Sequence, residues 1–218
     1  MELQPEITFS MRRSVIEFIT DIHSACGLGP EALFLAINLM DRYASKRIIH
    51  EQDYQRVGCV ALLIAAKHGD SQENQSCISD LKRYSRHIYS NTVLNRTELH
   101  ILAALNWDTR HSTCEAWLRA YTTRIDRSFS ENMKAEIKRN GWDHIREIEE
   151  RGIPMECLDT NANAIARCLM EVMQYQEELI DIEPNVKAEA AVILTKAVYY
   201  SRRDVSDFAG FVLCHRLT

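Results

Sequence analysis

The run from Val57 to Ala66, VGCVALLIAA, constrains this chain most, because it contains only glycine, alanine, cysteine and aliphatic residues. A helix that is apolar all round has to be enclosed by other elements. Ten residues fall well short of the roughly 20 needed to cross a bilayer. The run therefore predicts the buried hub of a helical bundle, on a helix from about Gln52 to His68 that Gly69-Asp70-Ser71 ends.

Elements able to cover such a hub lie on both sides of it. Met11, Val15, Phe18, Ile19 and Ile22 recur at helical spacing and predict a helix from about Ser10 to Ala25. Gly27-Leu28-Gly29 stops it, and Pro30 suits the first position of the next, which carries Leu33, Ala36, Ile37, Met40 and Tyr43. A short helix is expected from Ile78 to Ser85. Asn91 or Thr92 is expected to cap another, with Leu94, Glu98, Ile101, Leu102 and Leu105 on one side. Further on, helices are expected at about Glu115–Ile125 and Ala162–Glu178, and from Pro184 onward, with an exposed charged helix between Glu131 and Arg151. Seven Gly and four Pro in 218 residues are too few turn formers for a sheet-rich fold. The expected class is all-α, with two helical bundles in tandem, the second incomplete or atypical. Residues 1–110 form the first and 111–218 the second, with a charged insert at about 127–157. A shift of 131 residues sets Leu39 on Met170, Ile49 on Ile180, Leu62 on Ile193 and Leu63 on Leu194, in keeping with a repeat.

Sequence signatures of catalysis are missing. There is no HExxH, P-loop, GxGxxG or GxSxG, and the eight histidines do not stand at metal-ligand spacing. Seven widely spaced cysteines without a CxxC fit a reducing compartment. The net charge of −5 gives no general support for a nucleic-acid binder. The start, MELQPEITFS, lacks a secretory pattern. The expectation is a non-enzymatic binding protein with no catalytic residues, no metal, no cofactor and no membrane anchor.

Four stretches, in order, resemble the cyclin box. MRRSVIEFI (Met11 to Ile19) resembles the family's MRAILVDWL helix, and AINLMDRYAS (Ala36 to Ser45) its AVNYIDRFLS. VGCVALLIAAKHGD (Val57 to Asp70) is similar to VGTAAMLLASKFEE. NRTELHILAALNWDT (Asn95 to Thr109) resembles the helix that carries the family's signature glutamate, and Ala164 to Tyr200 resembles the core of the second cyclin fold. Closest in pattern are the A-type and B-type mitotic cyclins.

The resemblance implies roles for particular residues. Arg12 and Asp41 match a buried ion pair. Lys67 and Glu98 match the pair that holds a cyclin-dependent kinase, and Ile64, Leu102 and Trp107 match the lining of a pocket for an apolar side chain of the kinase αC helix. Met11, Val15, Phe18 and Gln55 match an exposed patch that docks RxL-type substrates or inhibitors, with Ser14 in place of an apolar residue and Phe18 in place of tryptophan. The implied function is a regulatory subunit that binds and activates the kinase in cell-cycle control, in nucleus and cytoplasm. The alternative is a cyclin-like transcription-associated protein that binds DNA or a transcription factor. Departures from the family pattern fall at Arg56, where leucine is usual, and at His68 and Gly69, where an aromatic and an acid are usual.

Overall fold

The computed structural model describes residues 4–68, 83, 89–123, 158 and 160–200, and the architecture below is that of these residues. All their regular elements are helical: α1 (Phe9–Ala25), α2 (Pro30–Ala44), α3 (Glu51–His68), α4 (Asn91–Ala104), α5 (Cys114–Thr123), α6 (Thr160–Gln174), a 3-10 turn (Glu177–Leu179) and α7 (Pro184–Tyr200). The chain divides into two compact units. The first is Met1–Glu115 with Gln174–Asp181; the second is Ala116–Met173 with Ile182–Thr218. The helix expected at Ile78–Ser85, apart from Arg83, and the charged insert at 127–157 lie outside the described residues.

Within the first unit the hub is as the sequence requires. Every residue from Val57 to Ala66 is buried, and α3 packs against α1, α2 and α4. Gly58 lets α1 come close. A Cβ at that position would stand 2.5 Å from Val15 Cγ1 and 3.3 Å from Ile19 Cγ2, so the two helices cross where one has no side chain.

Helix ends follow from local chemistry. Thr8 caps α1, its hydroxyl accepting from Met11 N at 3.2 Å while Thr8 N donates to Met11 Sδ, which starts the helix at Phe9. Ser90, not Asn91 or Thr92, caps α4: its hydroxyl accepts from Val93 N at 3.4 Å. The expected helix to Glu178 stops at Gln174, where the chain joins the first unit and the Gln174 carbonyl takes a hydrogen bond from Arg12. Tyr175 then packs on the first unit's core.

The corner between α2 and α3 is fixed from outside by the N-terminal segment. Buried Gln4 donates through Nε2 to the carbonyls of Ala44 (2.5 Å) and Arg47 (2.6 Å) and accepts from Ile49 N (2.9 Å). Glu6 accepts from Glu51 N at 3.1 Å and lies 3.2 Å from His50 Nδ1. That amide and His50 hold the Glu6 carboxyl below its ordinary pKa.

In the second unit α6 buries Ala162, Ala166 and Met170, and α7 buries Ala188, Ala191, Val192 and Thr195. Shifting α2 and α3 by 131 residues brings them to within two residues of α6 and α7 at either end.

Gly58→Ala forces a methyl group into space that Val15 holds. It is expected to lower stability by about 1–3 kcal/mol in urea unfolding, and a parallel Val15→Ala should recover part of the loss.

Candidate functional site

Arg12 explains how α1 is held. It lies on the buried face of α1, only 3% exposed, so each of its donors needs an acceptor. Nε and Nη2 form a two-point fork with Asp41 of α2 at 2.8 and 2.7 Å, and Nη1 donates to Gln174 O at 2.7 Å. Burial pulls the Arg12 pKa down, but the bonds to Asp41 and the attraction of its charge outweigh that and raise it. Burial also raises the pKa of Tyr54, whose hydroxyl has no partner among the described residues.

At the other end of the hub, Lys67 in the last turn of α3 meets Glu98 of α4, Nζ to Oε1 at 2.5 Å. The Glu98 side chain is 15% exposed and that of Lys67 38% exposed, so the pair sits at the surface. Leu99, which follows Glu98 in α4, is 58% exposed, and helical spacing alone does not reveal that it remains uncovered. Leu102, one turn on, is partly buried against the core, and Ile64 is in the core itself.

Trp107 is 64% exposed, and its backbone is unusual. Asn106 and Trp107 have φ of 54° and 62°, the left-handed region. Asn tolerates it, but for a bulky residue it costs on the order of 1–3 kcal/mol. The turn is held by Trp107 N donating to Leu102 O at 2.8 Å and by Arg42, which donates to Asp108 O at 3.0 Å and lies 3.5 Å from the Asp108 carboxylate. The indole is thus displayed at the end of the helix that carries Glu98.

The patch expected on α1 needs one correction. Val15 is 7% exposed and belongs to the α1–α3 crossing, not to a surface. Met11 and Phe18 are half-buried, and Ser14 and Gln55 are exposed. Among the described residues no cluster of His, Cys, Asp or Glu is arranged to hold a metal ion, and no helix is long and apolar enough to cross a membrane.

The profile of the cyclin N-terminal domain matches residues 1–110, which hold all of these side chains except Gln174. The chain belongs to the cyclin family. It is 32% identical over 195 residues to the G1/S-specific cyclin CCN1 of Candida albicans, a match that covers 89% of this chain and 27% of that protein. Over 105 residues it is 38% identical to the cyclin puc1 of Schizosaccharomyces pombe, covering 48% of this chain and 29% of that one. The chain thus spans under a third of the length of these curated relatives. A viral cyclin from herpesvirus saimiri superposes with a TM-score of 0.67 at 16% identity, over 97% of this chain and 80% of that one, which shows the cyclin fold.

For this cyclin, Arg12→Ala and Asp41→Ala are each expected to cost about 3 kcal/mol, the lower end for a broken buried pair because the Asp41 side chain is 25% exposed. The double variant should lose clearly less than the sum. A thermal-melt cycle that is strictly additive would mean the two charges are not coupled.

Proposed function

We propose that this cyclin is the regulatory subunit of a cyclin-dependent kinase and performs no catalysis itself. The observation that carries the reading is the Lys67–Glu98 pair at the surface, on a helix that also exposes Leu99 and is followed by the strained turn of exposed Trp107. Charged groups at the rim and an apolar anchor beside them suit a partner helix that offers both an aliphatic side chain and backbone polar groups. In a protein kinase the catalytic lysine is positioned by a glutamate on αC, and αC has to be swung inward for that. A protein that packs against αC shifts the kinase toward its active population without contributing chemistry. The DNA-binding alternative is not favoured. Such a role suits a chain that works in nucleus and cytoplasm.

Lys67→Ala with Glu98→Ala is expected to weaken capture of the kinase roughly a hundredfold and to leave the helical circular dichroism unchanged. Unchanged pull-down would sink the assignment.

A substrate-docking role for α1 has its own support. Met11 and Phe18 stay half-exposed, and Gln55 is exposed one turn before the Gly58 crossing. Ser14 removes one apolar contact from that face, so RxL peptides should bind weakly. Ser14→Ile with Phe18→Trp is expected to tighten a fluorescent RxL peptide about tenfold or more. No binding by either protein at millimolar peptide would mean that the face is not a docking site.

A further inference from the structure

The corner Ser45–His50 carries a surface that the kinase and docking readings leave unused. Ile48 is 67% exposed, the most exposed large apolar side chain among the described residues. Its neighbours Lys46 and Arg47 are also exposed, and neither side chain makes a hydrogen bond or ion pair among the described residues. This differs from Arg12, Arg13, Arg42 and Arg56, each of which has a carboxylate. In a chain of net charge −5, two adjacent cations with no carboxylate partner among the described residues, beside an aliphatic side chain, stand out.

The corner is also rigid. Ile49, the neighbour of Ile48, is buried at 4% and plugs the loop into the core. Gln4 commits its amide to two carbonyls and one N–H of the corner, while Lys46 N and Arg47 N both donate to Tyr43 O at 3.0 Å. Fixing a loop in advance removes ordering entropy from a later binding step. Glu6, the nearby acid of the clip, is engaged with Glu51 N and His50, which leaves the cations unneutralised by it. By helical rise, the start of α3 lies about 24 Å from Lys67 at its end, so both surfaces can be occupied together.

We propose that Lys46, Arg47 and Ile48 form a preorganised docking point for an acidic segment of a partner protein that carries one aliphatic side chain. The cations meet carboxylates at the rim and Ile48 meets the aliphatic group, so charge sets the approach and the apolar contact sets the lifetime. The proposal does not depend on the kinase reading.

The test uses the full chain and a fluorescein-labelled peptide, Asp-Glu-Leu-Glu-Asp, titrated by anisotropy at low salt. The wild type is expected to bind, more weakly as salt rises. Ile48→Ser should weaken binding roughly tenfold. Lys46→Ala with Arg47→Ala should weaken it roughly fivefold and flatten the salt dependence. All three side chains are exposed, so circular dichroism should not change. A control peptide with Ser in place of Leu should bind the wild type no better than the original binds Ile48→Ser. No binding by the wild type, or binding that none of these substitutions weakens, overturns the proposal.

Discussion

The first unit depends on one guanidinium. Arg12 is buried almost completely, and a charge taken that far from water is tolerated only when it is paired and hydrogen-bonded. Asp41 fills the fork and the Gln174 carbonyl takes the third bond, so α1, α2 and Gln174 are tied together within that unit. Hydrophobic contacts around it are not directional; the fork is. It sets the rotation of α1, and with it which side chains of that helix face inward. Val15 and Ile19 reach the hub, while Met11 and Phe18 remain at the edge.

The hub carries that order to the surface. Because α3 is enclosed by α1, α2 and α4, its two ends are delivered to fixed places. One end supplies Lys67 to Glu98, and the other starts at the clipped corner beneath Ile48 and Ile49. The polar groups at both ends rest on a helix that cannot slide, since Gly58 admits Val15 at one position along its length and a one-turn shift would bring a side chain there.

Much of this was legible in the residues. The all-round apolar run gave α3, and Gly29-Pro30 marked the start of α2, because these signals are local and strong. The pairing of Arg12 with Asp41 and of Lys67 with Glu98 came from the resemblance, and neither spacing says it unaided. Three things were hidden. The α4 cap fell at Ser90, one residue before two equally plausible cap formers. The early end of α6 depends on a partner 162 residues away, which no local pattern encodes. Val15 was expected in an exposed patch on the resemblance alone, although its helical spacing already set it on the apolar face of α1, and the missing side chain of Gly58 is what lets it sink into the crossing. Trp107 gave a partial signal, since the Asn before it favours a left-handed turn, yet a second such residue in a row is not suggested by any propensity.

The bond from Arg12 to Gln174 also has a history within each molecule's synthesis. The acceptor is made long after the donor, 162 positions further along the chain. At ordinary elongation rates of 5–20 residues per second that gap lasts roughly 8 to 30 s. Over that interval Arg12 has its fork with Asp41 but not the Gln174 carbonyl, and the Tyr175 site on the core is open. Helix formation and collapse take microseconds, so most of the bundle can assemble early. Closure of the unit nevertheless waits for translation, and the half-made protein is the form that chaperones and proteases meet first.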